Sequence, residues 1–289
     1  MNILIFGVTG LLGNATYSYL KQTGKYKIFG VARNKKIVKK FLEKDTKKIF
    51  YENDILNEIN LQKIFELSKP EVVINCAGLI KQDINSNSEI DSIKINSLFP
   101  HLLHSVCQNN YARLIHYSTD CVFDGKKGNY SEKDLPNCQD TYGRSKLMGE
   151  IINQKDALTL RTSIVGHELV TAISLMNWFL ESRGKVKGFK KAYFSGLTSL
   201  EHAKVLDKFI IPKKEFSGLV NLAGRKINKY NFLCSVSEIY NHKINIVKEE
   251  NFKIDRSLDA SLFNKKTGYY PPPWDNLLTE LRGFFEKKR

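Results

Sequence analysis

The sequence predicts an α/β fold: a doubly wound parallel sheet with helices on both faces, and a smaller lobe built from two separate stretches of chain. Three observations predict it. Short apolar runs alternate with segments of helical periodicity from the first residue to Gly166, the pattern of repeated β-α units. A glycine-rich turn joins the first strand to the first helix, as in sheets that bind a ligand at a helix N-terminus. After Gly166 the alternation fades into shorter, mixed elements.

Asn2 to Phe6 reads as the first strand, and Leu12 to Gln22 as the first helix. Tyr26 to Ala32, Lys48 to Tyr51, Val72 to Cys76, Arg113 to Ser118 and Ala157 to Ile164 continue the strands. Helices over Ile37 to Lys44, Leu61 to Ser68, Asp91 to Asn109 and Thr141 to Gln154 separate them. Parallel neighbours need such crossovers. Beyond Gly166, Ala172 to Ser182 is helical, with a turn around Gly184 and Gly188. Leu200 to Phe209 is a helix, and Leu219 to Leu222 a strand that returns to the main sheet. Tyr230 to Tyr240 and Asn276 to Glu286 are helices, Asn245 to Lys248 is a strand, and Pro271-Pro272-Pro273 breaks the chain before the last helix. The predicted sheet domain therefore covers 1–166 plus about 196–224, and the second lobe about 167–195 and 225–289.

Composition narrows the function classes. The chain of 289 residues is 42% hydrophobic and 26% charged, which suits one globular α/β domain with an appended lobe. No apolar run is long enough to span a membrane. The opening Met-Asn-Ile-Leu-Ile-Phe-Gly reads as a strand and lacks the layout of a signal peptide. The five cysteines, an odd number without a CxxC pair, argue against a disulfide framework and a zinc site. A cytoplasmic protein with reduced thiols and no bound metal is expected. The net charge of +15 is spread along the chain, and its one dense run, Lys35 to Lys48, is interrupted by Phe41 and Leu42 as in an amphipathic helix. That pattern favours an anionic small ligand over nucleic acid.

The first turn, Gly7-Val8-Thr9-Gly10-Leu11-Leu12-Gly13, lies between a strand and a helix. A pyrophosphate can reach the helix N-terminal amides only where the backbone turns tightly and no side chain stands in the way. Gly7 and Gly10 meet that need, and Gly13 lets the helix pack close to the sheet. The segment from Gly7 to Gly13 is thus a dinucleotide-binding turn of the Rossmann type. At the end of the second strand an acid would accept from an NAD ribose, whereas a cation would meet the extra phosphate of NADP. Here stand Arg33 and Asn34, followed by Lys35 and Lys36. NADP(H) is expected in preference to NAD(H), because a guanidinium forks onto phosphate. Asp54 and Ile55, after the third strand, are placed to receive the adenine, with the Asp54 carboxylate on its amino group. Ala77 and Gly78, after the fourth, leave room for a ribose.

Tyr142 and Lys146 are four residues apart on a predicted helix and so share a face. A cation near a phenol favours its ionised form, so the Tyr142 pKa is expected to fall and to suit proton transfer near neutral pH. The fifth strand ends Tyr117-Ser118-Thr119-Asp120, at the strand end where α/β sheets bind ligands. Thr119 is placed there to orient a substrate oxygen, with Asp120 beside it.

Gly-x-Thr-Gly-x-x-Gly, Asn75-Cys76-Ala77-Gly78, Ser118-Thr119-Asp120 and Tyr142-x-x-x-Lys146 occur in that order. The chain thereby resembles an extended short-chain dehydrogenase/reductase. The stretches Ser118 to Gly125 and Tyr142 to Glu150, with Gly128, Tyr130, Glu132 and Pro136, resemble the dTDP-4-dehydrorhamnose reductases and their sugar-nucleotide relatives. The likeness is dense to residue 166 and thin afterwards. It implies an NAD(P)H-dependent reduction of the 4-keto group of a nucleotide-linked 6-deoxysugar, serving surface-polysaccharide synthesis. Thr119, Tyr142 and Lys146 would be the catalytic residues, with Tyr117 and Lys146 beside the cofactor. Asp120, Ile164 and His167 would face the sugar. An epimerase of the same superfamily and a non-catalytic dinucleotide-binding regulatory subunit are the alternatives. A homodimer is one assembly open to it.

Two positions depart from the family pattern. Cys121 stands where a Tyr is usual, and Ile164 where an aromatic is common. The more distant 4,6-dehydratases carry Asp then Glu after the threonine. Here Asp120 is followed by Cys121, so one of the two carboxylates needed for water loss is missing, which favours a reductase. Arg183, Lys185 and Lys187 read first as a solvated turn and second as contacts for a substrate diphosphate. Trp178 and Trp274 read as core.

Overall fold

The computed structural model describes residues 1–41, 48–80 and 88–286. β1 (Asn2–Phe6) enters the glycine turn and α1 (Leu11–Thr23) follows. β2 (Lys27–Ala32), α2 (Lys35–Phe41), β3 (Ile49–Tyr51), α3 (Glu58–Ser68) and β4 (Val72–Asn75) complete the first half of the sheet. The second half begins with α4 (Ser88–Ser92). Its helix continues through a π-turn at Ile93–Leu98 into α5 (Phe99–Asn109), and β5 (Arg113–Tyr117) comes next. Then come α6 (Thr141–Met148), β6 (Ala157–Arg161) and the short β7 (Ile164–Val165).

The remaining chain forms α7 (Leu175–Glu181), β8 (Lys185–Phe194), β9 (Leu197–Thr198), α8 (Ser199–Val205) and β10 (Gly218–Asn221). It ends with β11 (Ile227–Asn228), α9 (Lys229–Ile239), β12 (Asn245–Asp255), α10 (Ser261–Thr267) and α11 (Trp274–Glu286). Seven parallel strands build the central sheet in the order β10-β6-β5-β4-β1-β2-β3. The order reverses between β1 and β4, and that switch point opens a crevice at the carboxyl ends of the strands. A separate three-stranded sheet has the order β11-β8-β12, and β7 pairs with β9.

Strand alternation explains the two layers of core. Ile3 and Ile5 point into one apolar cluster, and Leu4 and Phe6 into the other. A strand buried on both faces has to be apolar throughout. The first cluster runs without a break from the sheet into the later helices: Phe232 and Trp274 belong to it, with ring centroids 5.3 Å apart. Trp274 is therefore core, as expected, whereas Trp178 is 43% exposed.

The structure corrects several boundaries. α6 stops at Met148 instead of reaching Gln154. At Gly149 an added Cβ would sit 1.9 Å from the backbone oxygen of Asn96, so the chain presses against the π-turn and leaves the helix there. Gly188 lies inside β8, not in a turn. It is glycine because a Cβ would come 2.7 Å from the Tyr230 ring of α9. The expected strand over Ala157 to Ile164 breaks after Arg161, and Ile164 pairs instead with Leu197 of β9. α10 was not foreseen, and β12 is longer than the predicted strand. The end of the predicted second helix, Leu42 to Lys44, lies outside the described residues.

Candidate active site

The glycine turn sits at the switch point. Gly7 has φ of 78°, a conformation that disfavours a side chain, and a Cβ there would meet the amide of Ala77 at 2.9 Å. Gly13 is needed by the turn itself, because its Cβ would lie 2.1 Å from the Gly7 carbonyl oxygen. Gly10 differs: among the described residues a Cβ there would come near that same oxygen alone, at 3.4 Å. The fold tolerates a methyl group at Gly10, so the glycine there leaves open space in front of the helix. Gly10 also caps α1 without a side-chain acceptor, so the first amides of α1 face that space. Thr9 and Leu11 are half-buried around it, while Leu12 points into the core. This arrangement fits a dinucleotide pyrophosphate.

Along the crevice the predicted residues fall on neighbouring strand ends. Arg33 is exposed after β2. The Asn34 side chain caps α2, accepting from the Lys36 amide at 2.9 Å. Asp54 is exposed and accepts from the Leu56 amide at 3.1 Å, while Ile55 is buried in the second core cluster. Ala77 is half-buried and donates its amide to Asn75 Oδ1 at 3.0 Å. Gly78 is exposed, and a Cβ there would come 3.9 Å from Lys146 Nζ.

The carboxyl end of β5 gathers the predicted catalytic residues. Lys146 is buried and donates to the carbonyl of Tyr117 at 2.6 Å. Thr119 Oγ1 accepts from the Cys121 amide at 3.1 Å, capping a short 3-10 turn, and donates to Asp120 Oδ1 at 3.3 Å; its side chain is close enough to the Tyr142 phenol to lower that group's pKa. The α6 helix that carries Tyr142 and Lys146 starts where Asp140 accepts from the Gly143 amide at 2.9 Å. Thr119, Tyr142 and Lys146 are thus brought together.

The electrostatics differ from expectation in one respect. The Tyr142 phenol is not depressed: burial, then the nearby Cys121, push it above its ordinary value, against a lowering bond from Thr119. Burial is the dominant cause, and Lys146 does not offset it. Its ammonium is spent on the Tyr117 carbonyl, and burial pushes it down to about 8, with Glu150 and Cys76 opposing. Asp120 is buried and pushed up to about 6, again by burial, with Arg256, hydrogen bonds from Cys121 and Thr119, and Lys229 opposing. Burial, with Asp120 beside it, pushes the Cys121 thiol up to about 12, which leaves it a poor nucleophile.

Several residues at this site carried no clear signal in the sequence. Asn96, in the π-turn, donates to Ser145 Oγ and to the Leu79 carbonyl, both at 3.1 Å. It thereby ties α6 to the loop after β4. Asn75 Nδ2 lies 3.1 Å from His116 Nδ1. An amide nitrogen only donates, so Nδ1 accepts and the proton sits on Nε2. Burial, then Lys146, keep His116 neutral. Glu150 forms a buried pair with Arg161 at 2.7 Å. Only its spacing of four from Lys146 hinted at it.

Ile164, on β7, packs against the larger core cluster. His167 Nε2 lies 2.9 Å from Tyr240 Oη, and its ring packs on Phe285. Of the three cations in the predicted turn, Arg183 donates to backbone carbonyls, Lys187 pairs with Glu249 at 3.4 Å, and Lys185 is exposed on β8. The cations whose charge reaches Asp120 are instead Arg256 and Lys229, both half-buried. Arg256 Nε donates to the Phe123 carbonyl at 3.0 Å. Among the described residues no cluster could hold a metal ion, and no helix is long and apolar enough to cross a membrane.

Residues 1–189 match the RmlD substrate binding domain family. Over 148 residues the chain is 29% identical to methionine adenosyltransferase 2 subunit beta of Danio rerio, covering 51% of this chain and 42% of that protein. It is 33% identical over 170 residues to a probable low-salt glycan biosynthesis reductase of Haloferax volcanii, covering 57% and 54%. The matched stretch thus spans about half the length of these curated relatives. A hypothetical dTDP-4-dehydrorhamnose reductase of Sulfolobus tokodaii superposes with a TM-score of 0.74 at 26% identity, over 95% of this chain and 98% of that one. The dTDP-4-dehydrorhamnose reductase of Bacillus anthracis, in complex with NADP, superposes with a TM-score of 0.79 at 20% identity, over 98% of each. At that identity the likeness speaks for the fold.

Proposed function

The chain belongs to the RmlD substrate binding domain family, and from that premise we propose that it reduces the 4-keto group of a nucleotide-linked 6-deoxysugar with NADPH. The observation that carries the reading is the meeting of Thr119, Tyr142 and Lys146 at the end of β5, beside the open glycine turn. A bound nicotinamide cofactor would supply the hydride. Gly7, Gly10 and Gly13 would shape the turn for its pyrophosphate, and Arg33 would meet the 2'-phosphate that distinguishes NADP. Asp54 and Ile55 would border the adenine, and Ala77, Gly78 and Lys146 the nicotinamide ribose.

Tyr142 then acts as the acid. The phenol is protonated at neutral pH and has a proton to give, while burial makes it a weaker acid than a free tyrosine, so the transfer depends on positive charge close to the site. Thr119 orients the carbonyl, and Lys146 holds a positive charge beneath the pair. Asp120 and Ile164 line the sugar. Arg256 and Lys229 bring positive charge towards it from the second lobe. The sheet domain is taken as 1–166 plus about 196–224, with the rest as substrate lobe. A cytoplasmic role in surface-polysaccharide synthesis follows from this reading.

The test is NADPH oxidation with a panel of dTDP-, UDP- and GDP-linked 4-keto-6-deoxysugars, followed by product analysis. A 4-hydroxy product is expected with one of them. The likeness to methionine adenosyltransferase 2 subunit beta favours a second reading, a dinucleotide-binding regulatory subunit. Saturable NADPH binding without oxidation by any sugar in the panel would move the conclusion to that reading.

A further inference from the structure

We propose that Glu150 is the positioning residue of the proton-transfer pair: it anchors the chain leaving α6 to the end of β5 and supplies the negative charge that faces Lys146. The inference rests on the roles given above to Tyr142 and Lys146. Glu150 lies just past the end of α6, and all three of its hydrogen bonds are short. Oε1 accepts from Ser118 Oγ at 2.7 Å and from Arg161 Nε at 2.8 Å, and Oε2 accepts from Arg161 Nη2 at 2.7 Å. Both side chains of the ion pair are 4% exposed.

Such a pair is costly to bury, and apolar residues of similar size often fill the same space with no loss of stability. Its placement supplies a reason for it. Ser118 is the middle residue of three. On one side the Tyr117 carbonyl receives the Lys146 ammonium. On the other, Thr119 stands near enough to the Tyr142 phenol to act on it. One carboxylate therefore fixes the residue between the carbonyl that holds Lys146 and the threonine that faces Tyr142.

The charge matters as well as the bonds. Among the described residues, the titratable groups whose charge acts on Lys146 or is acted on by it are Glu150 after α6, Cys76 after β4 and His116 on β5. Burial raises the Cys76 thiol and lowers the His116 imidazole, so both are neutral near pH 7. Glu150 is then the charged one of the three. Burial already pushes Lys146 down to about 8, so losing the carboxylate would take the ammonium away near neutral pH.

The test compares Arg161→Gln with the double variant Glu150→Gln/Arg161→Gln, which removes both charges and so avoids an unpaired guanidinium. The Lys146 ammonium is titrated in the full-length protein by NMR of 13Cε-labelled lysine, assigned with Lys146→Arg. The double variant should lower the Lys146 midpoint by about one pH unit or more, and the basic limb of kcat/KM should move with it. Arg161→Gln, which keeps Glu150, should not lower it. A double variant that folds and titrates like wild type overturns the inference. The titration needs no substrate, so a shifted midpoint without turnover of any sugar would fault the reductase reading alone.

Ser118→Ala checks the positioning role separately and leaves both charges in place. It should lower kcat by roughly tenfold to a hundredfold, with the Lys146 midpoint and KM unchanged. An unaltered kcat in that variant overturns the positioning role even if the double variant fails to fold.

Discussion

The carboxyl end of the central sheet and the sheet of the second lobe use glycine and charge in opposite ways. At the first, Gly10 has room for a side chain and still carries none, and burial works against the charges of Lys146 and Asp120, which neighbouring groups offset only in part. At the second, Gly188 is glycine because Tyr230 fills the space above it, and Lys187 and Lys226 are satisfied by Glu249 and Asp255. The first region holds buried charge and open space that packing alone does not require. The second is resolved by its own contacts. Functional sites are where such local costs persist.

Breaking the buried pair beneath the first region should have the largest effect on stability. Glu150→Leu leaves Arg161 buried without a counter-charge, and about 3–5 kcal/mol of unfolding free energy should be lost. Urea denaturation measures it. A loss below about 1 kcal/mol would mean that Arg161 reaches solvent and that the site is less dry than its burial implies.

Asp120 gives a pH-dependent version of the same contrast. Its pKa is raised to about 6 in the folded protein. A raised carboxyl favours the folded state below its unfolded pKa, and that benefit disappears as pH rises through the folded pKa. Wild type should therefore lose stability relative to Asp120→Asn between about pH 4 and pH 6. The whole difference is on the order of 3 kcal/mol for a group this buried. Thermal unfolding of both proteins across that range shows it, and parallel curves would contradict it. In the second lobe, Gly188→Val should cost roughly 1–3 kcal/mol through overpacking against Tyr230, independent of pH, with the Kd for NADPH unchanged.

Arg33→Ala should have the smallest effect. It should weaken NADPH binding by about tenfold, or 1.4 kcal/mol, and leave NADH binding alone. Equal effects on both cofactors would show that Arg33 does not read the 2'-phosphate.

The same contrast explains what the sequence revealed. β1 was read to the residue, because a fully apolar run followed by glycines has few other solutions. The association of Thr119, Tyr142 and Lys146 was legible from their spacing and order. Three things were not. The Tyr142 pKa direction is set by the burial of the phenol, which the spacing of Tyr142 and Lys146 does not reveal. The end of α6 depends on Asn96, far away in sequence, pressing on Gly149. β8 and β12 pair across the intervening β9–α9 segment, and a strand stabilised by so distant a partner shows little local pattern.

The central claim is that Tyr142 gives its proton to the reduced carbonyl. Its most direct measurement is single-turnover reduction of a dTDP-4-keto-6-deoxysugar at saturating NADPH, wild type against Tyr142→Phe. The account predicts a rate lower by about 10²–10⁴, with NADPH affinity unchanged. A Tyr142→Phe enzyme that turns over at the wild-type rate would contradict it.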